Sequence, residues 1–391
     1  MTDPVHLARR PVALRGPEPV VISAAAVASA FGRGVEPLLS AALDGTPGFQ
    51  AVRRFDVADR RVGVAATLPG SPSLSDELDR VIDEACDEAG LSPGLRAQCP
   101  LYLAVHGDPD LPRVSGAEAS GHGADAFARS VAKRSGLSDE TTRAYTSACV
   151  AASTAVADAA AAVARGRVSR VVVAAGYLVD PDQFALFDAG RALAPDGRVR
   201  PFSARRGGLL LGDGVGAVVI ESAAAAARHG VKTLARLAGW GRAGDAYHVC
   251  RPRPDGAGLA QAITAAAQRA SIRAEAIGYV NAHGSGTAHS DAAEAAALHA
   301  ALGETAETVP VSSTKSVHGQ ALEAGALVEL IVTLHAMRAG RLPVNAGYLG
   351  PDEDCRLNLV LEPGQARSID YALSISSAFG GANTALLVGA P

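Results

Sequence analysis

Charge is scarce in this sequence. Only 19% of its 391 residues are Asp, Glu, Lys or Arg, against 48% apolar, so there is material for a large buried core. The charge present nearly cancels, at a formal −4, and gives no bulk support for nucleic-acid binding. Cysteines are few: Cys86, Cys99, Cys149, Cys250 and Cys355, odd in number and scattered. No CxxC pair exists, so neither a metal site nor a disulfide framework is indicated. No run is a clean membrane span, because the Ala-rich stretches carry Asp158, Arg165 or Glu221. The Met-Thr-Asp-Pro start lacks a charged segment followed by an apolar run, so the expectation is no signal peptide and a cytoplasmic, reducing location. No low-complexity linker divides the chain. What is abundant is Ala and Gly, 42 of the latter, which favours close helix packing and tight turns.

Hydrophobic patterning predicts an α/β protein. Residues 1–17 read as a loose, Arg-bearing arm and 107–123 as a loop. Buried strands are expected at Pro19–Ser23, Leu101–Val105, Arg170–Ala175, Ala217–Glu221, Lys232–Ala238, Ile277–Ala282, Val309–Ser312, Tyr371–Ser377 and Thr384–Val388. Helices are expected at 34–43, 75–89, 124–136, 184–193, 259–270, 290–302 and 323–338. Leu78, Val81, Ile82 and Ala85 give the second of these its helical spacing, with Ser75 as N-cap and Gly90 past its end. Strand–turn–helix units recur in both halves, which suggests stacked sheets with helices between and outside them. The expected division is 18–225 and 226–391, after the arm.

The stretch Ala144-Tyr-Thr-Ser-Ala-Cys149-Val-Ala-Ala-Ser-Thr, running on to Gly166, reads as a strand, a sharp turn and a helix. It places a thiol at the first position of a helix, where unpaired N–H groups and the helix dipole favour a thiolate, with a buried structural cysteine the alternative for this segment alone. Three later motifs carry the remaining chemistry. Asn281-Ala-His283-Gly-Ser285-Gly-Thr287, followed by Asp291 and Glu294, presents an imidazole before a Gly-rich turn. Ser312-Ser-Thr-Lys315-Ser-Val-His318-Gly319-Gln320 leads into a helix containing Glu329. Ser376-Ser-Ala-Phe379-Gly380-Gly381-Ala-Asn383 is a turn whose N–H groups suit an oxyanion hole. Each is weak alone.

In this order, from Val20 to Val388, they resemble the β-ketoacyl synthases, condensing enzymes of the thiolase-like superfamily. Asp245–Gly256, Pro201-Phe202, Gly212-Asp213-Gly214 and Arg191-Ala-Leu193 fit as well. The resemblance implies a five-layered αβαβα thiolase-like fold of two similar halves, no bound cofactor, and an acyl substrate carried on the phosphopantetheine of an acyl carrier protein or coenzyme A. It implies a dimer, either a homodimer or a heterodimer with another ketosynthase-like subunit, and neither nucleic acid nor membrane as partner. By motif, Cys149 is the nucleophile, and His283 holds the thioester carbonyl and assists decarboxylation. Lys315 orders the site, paired with Glu329. Phe379 is the gate, its N–H joining that of Cys149 in the oxyanion hole. Ser285 and Thr287 hydrogen-bond the pantetheine arm.

One departure stands out. The family's Gly-His after the lysine is Gly319-Gln320 here, and a family glycine three residues later is Glu323. His318 sits two residues early, on another face, and is expected to be a neighbour rather than a substitute. A glutamine amide donates a hydrogen bond to an enolate but cannot shuttle a proton. Losing such a donor outright costs roughly 10²–10³ in rate, so a retained amide is compatible with catalysis. The reading is therefore a decarboxylative Claisen condensing enzyme of fatty-acid or type II polyketide biosynthesis. The alternatives are a non-decarboxylating acyltransferase or cyclase using the same acyl-Cys149, or a partner subunit like the chain-length factors. Arg53, Arg54, Arg60, Arg61, Arg205 and Arg206 are candidates for receiving an acidic carrier, with ordinary solvated arginines the alternative. Cys250 borders the family pocket, and Glu323 is either a surface helix residue or a new charge near the site.

Overall fold

The computed structural model describes residues 18–109 and 123–391. The arm at 1–17 and most of the loop at 107–123 lie outside the described residues. Among the described residues, ten principal strands fall into two sets of five. The first set is β1 (Val20–Ser29), β2 (Pro100–Ala104), β3 (Ser138–Tyr145), β4 (Arg170–Tyr177) and β5 (Gly214–Ser222). The second is β6 (Ala235–Gly244), β7 (Ile277–Asn281), β8 (Pro310–Ser312), β9 (Tyr371–Ser377) and β10 (Ala382–Gly389).

The spatial order is β1-β5-β4-β2-β3 in the first set and β6-β10-β9-β7-β8 in the second. Corresponding pairs also share direction. β2 runs parallel to β3 and β4, as β7 does to β8 and β9. β4–β5 and β5–β1 are antiparallel, as are β9–β10 and β10–β6. The halves are thus topological copies. They join edge to edge where Val21 and Ile22 of β1 pair with Arg236 and Ala235 of β6.

The helices form the other three layers: α1 (Val35–Asp44), α2 (Leu74–Glu88), α3 (Ala124–Arg134), α4 (Ala151–Ala164), α5 (Pro181–Ala189), α6 (Ala257–Ala270), α7 (Ala288–Leu302) and α8 (Leu322–Ala339). α2 and α3 cover the outer face of the first sheet, and α6 with α7 that of the second. α4 and α8 pack on each other and on the inner faces of both sheets, forming the central layer. This position explains their composition. Nine of fourteen residues of α4 and fourteen of eighteen of α8 are buried, so neither has a polar stripe, and Ala and Gly let two sheets close on them. By contrast α2 buries one face, built on Leu78, Val81, Ile82 and Ala85, and exposes the other.

Several boundaries differ from those read in the sequence. Ser73, not Ser75, caps α2 by accepting from the Asp76 N–H. The helix expected at 184–193 begins at Pro181, because Asp180 caps it and Pro181 suits the first turn. The strand expected from Lys232 starts at Ala235, where pairing with β1 and β10 begins. No helix among the described residues is long and apolar enough to cross a membrane.

Candidate active site

The chain leaves β3 and turns sharply at Ala148, which takes a left-handed φ of 50°. Ala148–Val150 forms a single 3-10 turn, and α4 starts only at Ala151. Cys149 therefore precedes the α-helix rather than opening it, which corrects the expected placement. The charge on its sulfur is corrected too. Burial pushes the Cys149 thiol up to about 12, the Glu323 carboxylate adds to this, and Lys315 opposes it only in part. Desolvation and nearby carboxylates outweigh the helix terminus, so the resting group is a neutral thiol. Its Sγ accepts a hydrogen bond from Gln320 Nε2 at 3.3 Å.

His283 follows β7 in a loop whose backbone is held by carboxylates of α7. Glu294 accepts from the N–H groups of His283 (2.6 Å) and Gly284 (2.7 Å), and Asp291 from that of Gly286 (3.1 Å). Burial raises Glu294 to about 8 and Asp291 to about 6 against these bonds. The His283 ring is buried, and its Nδ1 has no hydrogen-bond partner among the described residues. Burial, reinforced by Lys315, drops its pKa well below the ordinary histidine value, so the imidazole is neutral. Lys315 Nζ donates to the His283 carbonyl at 2.7 Å and pairs with the Glu329 carboxylate in the central layer. Burial raises Glu329 to about 7 despite the lysine.

Gln320 is fixed through its backbone. Its N–H donates to Leu210 O and its carbonyl accepts from Gly212 N. That contact needs a glycine, since a Cβ at position 212 would lie 2.0 Å from the His318 carbonyl. His318 is buried elsewhere, with Nε2 on Thr314 Oγ1 at 3.1 Å. Burial and then Lys315 take its pKa down to about 3. The Phe379–Gly381 turn is tied down by Gly380 N donating to Val249 O and Asn383 Nδ2 donating to Asp245 Oδ1 at 2.8 Å. Gly380 has φ 83°, so this position favours glycine. The Phe379 ring is 55% exposed and stacks on Phe187, centroids 6.2 Å apart.

These residues surround one cavity of about 710 Å³. Cys149, His283, Gln320, Phe379, Ser285 and Thr287 all line it, and Lys315 lies beneath, bonded to the His283 loop. The Ser285 and Thr287 hydroxyls are 2.9 Å apart. Leu186, Phe187, Arg206 and Cys250 complete much of the wall, and Cys250 does border the pocket as read from the sequence.

Other sequence readings change. Glu323 is buried, 3% exposed, and its Oε1 accepts from His106 Nδ1 at 2.9 Å. Nothing in the sequence linked positions 217 residues apart. Two of the arginines offered as a carrier patch are tied up in ion pairs, Arg54 partly buried and Arg206 almost wholly so. Arg54 forks onto Asp213, which also accepts from Leu68 N and Val179 N. The Arg206 side chain is 5% exposed and pairs with Asp352 at 2.6 Å. Arg53, Arg60, Arg61 and Arg205 are exposed.

Because burial sets the thiol high, alkylation of Cys149 by iodoacetamide should rise about tenfold per pH unit from 7 to 9, as the thiolate fraction does far below the pKa. A plateau near neutral pH in a mass-resolved alkylation profile would mean an activated resting thiolate.

Comparison with known proteins agrees with this geometry. The β-ketoacyl synthase N-terminal domain description matches residues 118–226, and the C-terminal domain description matches 234–348. Nodulation protein E of Rhizobium meliloti is 37% identical over 243 residues, 62% of this chain and 60% of that protein. The tetracenomycin polyketide synthase ketoacyl synthase alpha subunit of Streptomyces glaucescens is 37% identical over 218 residues, 54% of this chain and 51% of that one. The chain thus matches about half to three fifths of the length of these curated relatives. Among solved structures, the ishigamide ketosynthase/chain length factor superposes with a TM-score of 0.86 at 25% identity, over 96% of this chain and all of that one. The type II polyketide ketosynthase AntDE, solved with its acyl-carrier protein AntF, gives 0.85 at 25% identity with the same coverage. With two matched domains spanning more than half the sequence and a duplicated five-layer fold around a Cys149–His283 cavity, the chain belongs to the β-ketoacyl synthase family.

Proposed function

We propose that this protein is a condensing enzyme of fatty-acid or type II polyketide biosynthesis, acylated on Cys149 from a carrier-protein thioester. The observation that carries the reading is the shared cavity, in which a thiol, a neutral imidazole and a hydroxyl pair face one space. A pantetheine arm entering past Ser285 and Thr287 brings its thioester to Cys149. Sγ attacks the carbonyl carbon, the bond to the carrier sulfur breaks, and the Sγ proton ends on the carrier thiol. The N–H groups of Cys149 and Phe379 stabilise the oxyanion. A malonyl thioester then loses CO₂, and the electrons of the broken C–C bond form an enolate at the second thioester. His283, neutral and able to donate, stabilises that enolate together with the Gln320 amide. The enolate carbon attacks the acyl carbonyl, the C–Sγ bond breaks with its electron pair going to sulfur, and the thiolate takes up one proton from solvent, the proton that the net reaction consumes.

The substrate is carried on phosphopantetheine, and no bound cofactor is invoked. An acyl carrier protein is the partner, a role supported by the AntDE:AntF complex and by exposed Arg53, Arg60, Arg61 and Arg205. β3 is an edge strand among the described residues and none of its residues is buried, which supports pairing with a second ketosynthase-like subunit, in a homodimer or a heterodimer. A role as a chain-length-factor-like partner is less well supported, since Cys149, His283 and Lys315 are all in place.

Gln320 makes the second step the vulnerable one. Restoring an imidazole with Gln320→His should raise CO₂ release from malonyl-carrier by about 10²-fold, in the range of general acid–base contributions, and leave Cys149 acylation within a few-fold. Unchanged CO₂ release would show that the amide already supplies all that this position can. Wild-type protein that acylates but never releases CO₂ would favour the acyltransferase or cyclase reading.

A further inference from the structure

Two thiols share the cavity. Cys149 lines it, and so does Cys250, together with Arg251 and Pro252. Of the five cysteines, Cys86, Cys99 and Cys355 are buried, Cys149 is partly buried and Cys250 is exposed. Cys250 does not stand alone. His248 Nδ1 is 3.7 Å from its Sγ, placed to receive the thiol proton, and the Arg251 cation follows it in the chain. The cavity is furnished for a ligand. The His283 ring lining it is 5% exposed, with its Nδ1 unpartnered among the described residues, and Ser285 and Thr287 line it too.

Backbone geometry decides which chemistry Cys250 takes. Its own N–H and that of Arg251 donate to His248 Nδ1, at 3.1 and 3.2 Å. Those two donors are therefore committed and build no oxyanion hole, so acyl transfer from a thioester is not supported at this thiol. Thiol–disulfide exchange needs no oxyanion hole, only a thiolate with access to a sulfur. The carbonyl of Val249, the preceding residue, accepts from Gly380 N at 2.7 Å. A group attached to Cys250 is thus carried by the segment that holds the Phe379 turn.

We propose that Cys250 is a modification site for low-molecular-weight disulfides of the pantetheine class, and that the adduct obstructs the way to Cys149. The Cys250 thiolate attacks one sulfur of the disulfide, the S–S bond breaks, and the other half leaves as a thiolate with the electron pair. The disulfide is the oxidant, and the proton lost by Cys250 balances the one taken up by the leaving thiolate. A reducing thiol reverses the step. The effect on acylation rests on the reading that Cys149 takes an acyl group from a thioester; the modification itself does not.

The test treats the protein with pantethine, the disulfide of pantetheine, and desalts it. A non-reducing digest should place one pantetheine on Cys250. Cys149 acylation by an acyl-carrier thioester should then fall at least about tenfold, since even a small displacement of the arm is costly, and return on reduction with dithiothreitol. Labelling of Cys149 by N-ethylmaleimide, which needs no acyl chemistry, should fall with it. In Cys250→Ser, pantethine treatment should change neither rate. No adduct on Cys250, an adduct on Cys149 instead, or a Cys250 adduct that leaves Cys149 labelling unchanged would overturn the proposal alone. Reduced protein that takes no acyl group, yet loses maleimide labelling of Cys149 once Cys250 is modified, would overturn the condensing-enzyme reading and leave this site standing.

Discussion

Replacing Cys149 with alanine should abolish the covalent acyl adduct and reduce condensation by about 10⁴-fold or more, the scale of losing a nucleophile whose partners act as a unit. The remaining thiols do not compensate. Burial raises Cys86 and Cys355 to about 12 and also raises Cys99, and none of the three borders the cavity. Cys250 borders the cavity but is exposed, beside His248. An adduct that moved to Cys250 in Cys149→Ala would therefore be visible in a digest and would redirect the assignment. The result expected is no adduct on any cysteine, with the fold preserved, because Ala fits a turn already flanked by Ala148 and Ala151.

The second large effect concerns stability. Lys315→Met should destabilise the protein by roughly 3–5 kcal/mol, read from urea denaturation, because it leaves Glu329 fully buried without its cation. The same change removes the donor at 2.7 Å from the His283 carbonyl, so activity should fall with it. The pH dependence has a definite sign. Glu329 is already raised to about 7 with the lysine present, and loss of the lysine raises it further. A carboxyl with a raised folded-state pKa contributes stability that is present below its unfolded value and is lost as pH rises through the folded value. Lys315→Met is therefore expected to be least impaired near pH 5 and to lose stability across pH 7 and above. Adding Glu329→Leu should recover most of the loss, since a well-packed apolar pair replaces a buried ion pair at little cost. Failure of the double variant to recover would mean that the lysine stabilises chiefly through the His283 loop.

How much of this was legible in the sequence depends on the range of the interactions. Strand runs such as Ile277–Ala282, and motif residues Cys149, His283, Lys315 and Phe379, carry their signals within a few neighbours, and the fold brings them to one site. The resemblance supplied the layered, duplicated architecture, which composition alone left as stacked sheets. Effects that need the third dimension were missed. The thiol pKa was read from the helix terminus, but its direction is decided by burial and by Glu323, which arrive from the far end of the chain. The pairing of Glu323 with His106 had no sequence signature. Arg54 and Arg206 looked like surface charges because Asp213 and Asp352, which hold them, are distant in sequence. Local capping also misled: two serines stood at the start of α2, and only backbone geometry selects Ser73.

The most direct test of the central claim is intact-protein mass spectrometry with an acyl-carrier thioester, followed by addition of malonyl-carrier. The account predicts a mass gain equal to the acyl group, located on Cys149, that is discharged on malonyl-carrier addition as a β-ketoacyl-carrier product appears. Absence of any acyl adduct, from a protein whose Cys149 still reacts with iodoacetamide, would contradict it.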